Sequence, residues 1–125
     1  MTAAPRTPAF SAGHNIAIKV PEHEYERTVA FYRDILGFEG VGEPLPDAAR
    51  FRFGDKVLWV DRVTGISQAE IWLEVVTADL ALASTHLADG DCTMRPGVEA
   101  LPEGLAAFWL SSPANIIHLV VEEEG

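Results

Sequence analysis

The order of secondary-structure signals repeats, and this constrains the chain more than any single residue. "HNIAIKV" sends Ile16, Ile18 and Val20 to one side and Asn15, Ala17 and Lys19 to the other, the pattern of a strand with one face on a core. Pro21 breaks it. "EHEYERTVAFYRDILG" then sets Tyr25, Val29, Tyr32 and Leu36 at helical spacing. Phe31 and Ile35 widen that stripe, and Gly37 suits the left-handed cap that ends a helix. After the short segments "FEGVGE" and "PLPDA", the stretch "ARFRFGDKVLWVDRV" reads as a β-hairpin turning at Gly54-Asp55. The signals then restart. "AEIWLEVV" is a strand, and "TADLALASTHLADG" is a helix with Asp79 near its start and Gly90 beyond its end. "CTMRPGVEALPEG" is irregular with room for one short strand, and "LAAFWLSS" and "NIIHLVVEE" are two strands joined at "SPAN". The result is β-α-β-β-β twice, an α+β fold repeated in architecture with weak sequence identity between its halves.

A length of 125 residues suits one domain with a real core. Residues 1–12, rich in Pro, Ala and Thr, read as a flexible arm. The domain runs from 13 to 125, with module one at about 13–65 and module two at about 69–122. No apolar run approaches the roughly 20 residues that cross a bilayer, and the start has no continuous apolar segment of the secretory kind. Cys92 is the sole cysteine, which excludes an intrachain disulfide and fits the cytoplasm. Nine Lys and Arg against nineteen Asp and Glu give a net charge of −10. Such a surface repels phosphate backbones, so nucleic acid is not expected as a partner, and the lack of a long apolar run leaves no membrane partner expected either. It favours cationic ligands at long range, although plain solubility explains the same charge.

Strand alternation also sorts the polar residues. If Ile16, Ile18, Phe51, Phe53, Ile71 and Leu73 lie under the helices, the opposite faces carry Asn15, Lys19, Arg50, Arg52, Trp59, Asp61, Glu70, Trp72, Glu74, Trp109 and His118. On a curled sheet that surface becomes a pocket of indoles and charges, the usual makeup of a small-molecule site. Each residue has a plainer reading. The tryptophans can be packing residues, the arginines exposed edge charges, and Glu70 and Glu74 surface carboxylates. His118 stands within the apolar run "NIIHLVVEE", either as a hydrogen-bonded core histidine or as a ligand or acid–base group lining a cavity. Cys92 has no neighbouring base in sequence and is not read as a nucleophile.

The opening "HNIAIKV" with "AFYRDILGF" and the closing "AFWLSSPANIIHLV" resemble the vicinal oxygen chelate superfamily, which includes glyoxalase I, bleomycin-resistance proteins and extradiol dioxygenases. The resemblance covers about residues 13–122. It implies two βαβββ modules with curled mixed sheets that form a ligand cup, helices on the outer faces, and a homodimer. Metal-using members place a His in the first strand of each module and a Glu in the last strand. The matching positions here are Asn15, Glu70 and His118. Asn15 is a poor ligand, so Glu70 and His118 would hold any divalent metal, with Asp61 or Glu74 as a third donor, where catalytic sites usually have three protein ligands. Two functions follow from the resemblance. One is a lyase or isomerase of glyoxalase type, with Glu70 and His118 as catalytic groups and Asn15, Arg50, Arg52, Trp59, Asp61, Trp72, Glu74 and Trp109 binding the substrate. The other is a metal-free binding protein that sequesters a drug or metabolite. The stretch from Cys92 to Gly104 is a lid or a connection.

Overall fold

The computed structural model describes residues 7–90 and 92–123. It divides into two compact units. The continuous unit is His14–Leu73; the described residues up to Gly13 and from Glu74 onward form the split unit. Two strands belong to both: β1 (Phe10–Pro21) and β4 (Glu70–Thr77). β1 begins three residues inside the stretch expected to be an arm.

In the continuous unit, β2 (Ala48–Phe53) and β3 (Lys56–Val63) form the expected antiparallel hairpin, with Phe53 opposite Lys56 and Ala48 opposite Asp61. Gly54 turns it at φ 65°, a conformation that glycine adopts without a Cβ clash. β3 then runs parallel to β1, from Asn15 opposite Val57 to Pro21 opposite Val63, so the sheet is mixed. Of the three strands that the β-α-β-β-β order expects after the helix, the first is reduced to a bridge between Gly40 and Phe51, flanked by hydrogen bonds from Val41 N to Arg50 O (2.9 Å) and Arg52 N to Glu39 O (2.8 Å).

The helix after Pro21 changes pitch twice. A 3₁₀ turn (Glu22–Glu24) leads into α1 (Tyr25–Ala30), which ends in a π turn (Phe31–Ile35). Leu36 N reaches back five residues to Phe31 O at 2.9 Å. The wider turn breaks the 3.6-residue period on which the apolar stripe was counted. Tyr25, Val29 and Tyr32 still meet the core, but Phe31, Ile35 (75% accessible) and Leu36 are exposed. The core is Val20, Tyr25, Phe51, Leu58 and Val60, with Ile16, Ile18, Val29, Tyr32, Phe38 and Ala49 packed against it. Its strand members all come from β1, β2 and β3, so Ile71 and Leu73 of β4 are exposed rather than buried as expected. Phe53, beside the hairpin turn, is also exposed and makes an edge-on contact with Phe38. Burial pushes the Tyr25 phenol above its usual pKa, against the lowering effect of Arg62, whose guanidinium lies 4.4 Å from the ring centroid.

The split unit follows the β-α-β-β-β order more fully. α2 (Leu80–Ala88) is capped by Asp79, whose Oδ1 accepts from Leu82 N at 3.0 Å. At the other end the Cys92 thiol donates to Leu87 O at 2.6 Å. β5 (Thr93–Met94), β6 (Ala107–Ser111) and β7 (Ile117–Glu122) follow, in the spatial order β4-β7-β6-β5. The β6–β7 turn falls on "SPAN", where Asn115 takes φ 62°, a conformation that asparagine tolerates better than most residues. Leu110, Ile117, Val120 and Ala83 are buried. Among the described residues, no helix is long and apolar enough to cross a membrane.

Candidate functional site

The ladders of the continuous unit decide which side chains share a surface. Even-numbered β1 and β3 residues from Ile16 to Val20 and Leu58 to Val60 meet the helix, so Asn15, Ala17, Lys19, Val57, Trp59 and Asp61 face the other way. On β2, Arg50 stands opposite Trp59 and Arg52 opposite Val57. This part of the expected face is assembled.

Its center is a buried ion pair. Lys19 and Asp61 are direct neighbours across the parallel ladder, with Nζ 2.6 Å from Oδ2. Lys19 is 5% accessible, so Asp61 is committed to a charge inside the fold. Breaking such a pair by removing one partner typically costs about 3–5 kcal/mol. The Lys19 ammonium also lies 4.3 Å from the centroid of the Trp72 ring, and Arg50 lies 5.3 Å from that of Trp59. Each indole N–H is held by a side chain: Trp59 Nε1 donates to Asn15 Oδ1 at 2.7 Å, and Trp72 Nε1 to Glu70 Oε1 at 3.1 Å. Ala17, opposite Trp59, has no bulk to oppose the larger ring. Both tryptophans are half-buried, with polar tips fixed and rings pinned by cations. Arg52 instead reaches outward to Glu39 at 3.4 Å between two exposed side chains, a contact worth little.

In the split unit, Glu74 packs against the buried Gly13 so closely that a Cβ at position 13 would overlap its carboxylate. Trp109 donates its indole N–H to Glu99 O at 3.0 Å and lines a shallow cleft with Met94, Pro96, Leu101 and Phe108. Part of the stretch from Cys92 to Gly104 therefore wraps this tryptophan.

His118 does not share that face. β6 and β7 pair with Leu110 opposite His118 and Trp109 opposite Leu119. His118 thus projects on the side of Leu110 and Val120, and Trp109 on the other. A one-residue difference in register reverses every side chain, and the turn at "SPAN" sets it against the expectation of one common surface. His118 lines a hollow of about 250 Å³ with Phe10, Val75, Leu87, Leu110 and Val120, Leu87 coming from α2. Its Nδ1 lies 2.9 Å from Ile116 O; a carbonyl can only accept, so Nδ1 carries the proton. His118 is thus both hydrogen-bonded to its own strand and on the wall of an apolar hollow.

Lys19 is the residue whose role the sequence did not disclose. Alternation put it on the right face, but its partnership with Asp61 depends on β1 and β3 being parallel neighbours, which no local signal specifies.

No family model matches the chain, and no curated protein does. Solved structures do match. The Mn(II)-bound glyoxalase from Novosphingobium aromaticivorans aligns at TM-score 0.62 and 22% identity, over 93% of this chain and 40% of that one. A variant of homoprotocatechuate 2,3-dioxygenase from B. fuscum aligns at TM-score 0.63 and 15% identity, over 94% and 34%. The same enzyme in complex with 3,4-dihydroxyphenylacetate aligns at 0.63 and 15%, over 93% and 37%. This is the vicinal oxygen chelate fold. The chain spans about a third to two fifths of the length of these solved relatives.

A metal of the kind that the vicinal oxygen chelate fold can carry does not fit the donors present. Among the described residues, no three His, Cys, Asp or Glu side chains gather as a metal ion requires. Asn15 and Glu70 each spend an oxygen on an indole N–H, Asp61 neutralises Lys19, and His118 lines an apolar hollow.

Proposed function

We propose that the chain binds a small organic molecule against the strand face of the continuous unit, without a divalent ion. Trp59 and Trp72 form its walls; Asn15, Lys19, Arg50, Asp61 and Glu70 form its polar frame. One observation carries this reading. Both indoles on this face have their N–H bonded to a side chain of the same face, at 2.7 and 3.1 Å, and a cation over the ring. A bonded N–H alone is common for a buried tryptophan, but here each ring also carries a cation and lies on the face away from the core, and fixed amphipathic walls of this kind suit a ligand site. The biological role that follows is sequestration of a metabolite or drug. The test is tryptophan fluorescence across a panel of aromatic compounds, with and without chelator. A saturable change that survives chelation and is lost in Trp59→Phe or Trp72→Phe supports the reading. A response that requires added metal overturns it.

Glu70 favours a second reading, a lyase or isomerase. Trp72 anchors one carboxylate oxygen, which leaves the other oriented to take a proton from a bound substrate. Turnover of a bound compound that is lost in Glu70→Gln while binding persists supports this reading. Unchanged turnover in that variant removes it. The protein is further proposed to be a cytoplasmic homodimer with no nucleic-acid or membrane partner. A monomer by light scattering contradicts the dimer.

A further inference from the structure

Four cations of the continuous unit are buried or half-buried: Lys19, Arg50, Lys56 and Arg62. Three have carboxylates. Lys19 is 2.6 Å from Asp61, Lys56 3.6 Å from Asp55, and Arg62 3.6 Å from Asp47. Among the described residues, Arg50 has none. This is notable in a chain with nineteen Asp and Glu against nine Lys and Arg, where a counter-ion is easy to supply. Arg50 is only half-buried and its hydrogen bond to Glu43 O is exposed, so a ligand can reach its guanidinium.

Arg50 is also held still. Its Nη2 donates to Glu43 O at 2.7 Å, its guanidinium lies over Trp59, and the loop closes on it at Gly42, where an added Cβ would come within 2.7 Å of Nη2. A guanidinium has five N–H donors in a planar fork, and the Glu43 bond uses one. The group is therefore pre-ordered and charged, with donors left for a ligand, the state that favours bidentate capture of a carboxylate.

Resting on the binding reading above, we propose that the ligand of this face carries a carboxylate, and that Arg50 anchors it beside Trp59. A cationic ligand is the poorer fit, although net charge alone suggested one. The rings that would attract it already hold Arg50 and Lys19, and Arg50, with no carboxylate beside it among the described residues, would oppose its approach.

Three planar probes of one shape separate the possibilities: benzoate, neutral benzamide and cationic benzamidine, titrated calorimetrically into the full chain. The expected result is that benzoate binds about tenfold or more tightly than benzamide, with benzamidine weakest. That preference should vanish in Arg50→Gln, survive in part in Arg50→Lys, and be untouched in Arg33→Gln, an exposed arginine paired with Asp34. If Arg50→Gln does not fold, the charge series on the wild-type chain decides by itself. Equal or tighter binding of benzamide or benzamidine overturns the carboxylate anchor while leaving the binding face intact. A benzoate preference that persists in Arg50→Gln overturns it as well. Binding of none of the three counts against the anchor and the face together.

Discussion

The two units use the same order of elements to opposite ends. In the continuous unit, the strand face away from the helix carries a connected polar set: Lys19 with Asp61, Trp59 with Asn15, Trp72 with Glu70. In the split unit, the residue with the most chemical promise, His118, projects instead into an apolar hollow beside Leu110 and Val120. What separates them is strand parity. Lys19 and His118 both stand among apolar strand neighbours, yet one faces indoles and charges and the other faces aliphatic side chains. Residue type proposes a site; register decides whether the residue reaches it.

The largest test of this contrast is the central pair. Asp61→Ala strips the buried Lys19 of its 2.6 Å partner and should cost about 3 kcal/mol or more in urea unfolding. Lys19→Met combined with Asp61→Leu should recover much of that loss. A cost below about 1 kcal/mol would mean that the pair does not organise the face. Next comes Leu110→Ala in the split unit, which hollows the wall around His118 and should cost about 2–4 kcal/mol. Gly13→Ala should cost about 1–3 kcal/mol, because the new Cβ displaces the Glu74 side chain. An unchanged melting temperature would remove Gly13 as its seat.

His118→Leu should be nearly silent, within about 1 kcal/mol. Ile116 O keeps the hydrogen bond from Ser112 N at 2.9 Å, so no carbonyl is left without a donor. A large loss of stability or of ligand binding would restore His118 to a functional role. The smallest effect lies at alkaline pH. The Tyr25 phenol is raised above its usual value of 10.0, chiefly by burial. Its contribution is therefore fully present below the unfolded-state value and is lost as pH rises through the folded one. Stability should fall above about pH 10 and fall less in Tyr25→Phe, as read by denaturation across that range.

Much of the fold was legible because local signals and global structure agreed. The alternation in "HNIAIKV" and "ARFRF", the Gly54 turn, the Gly37 stop and the Asp79 cap all stand where their chemistry places them. The misses have physical causes. The apolar stripe of the helix was counted at 3.6 residues per turn, and the π turn from Phe31 to Ile35 shifts it, exposing Ile35 and Leu36. Burial of Ile71 and Leu73 was inferred from alternation, which gives the face of a residue but not what covers that face. The position of His118 depended on a hairpin register that apolar residues on both strand faces leave ambiguous. "NIIHLVV" is apolar at odd and even positions alike, so either parity satisfied the pattern.

The most direct test of the central claim is to follow, by NMR, the indole N–H signals of Trp59, Trp72 and Trp109 and the ring of His118 as a bound aromatic ligand is titrated in. A site on the Trp59–Trp72 face gives shifts at Trp59 and Trp72 at one common midpoint, with His118 unmoved and Trp109 changed little. Shifts centred on His118 or Trp109, with Trp59 and Trp72 silent, would contradict it.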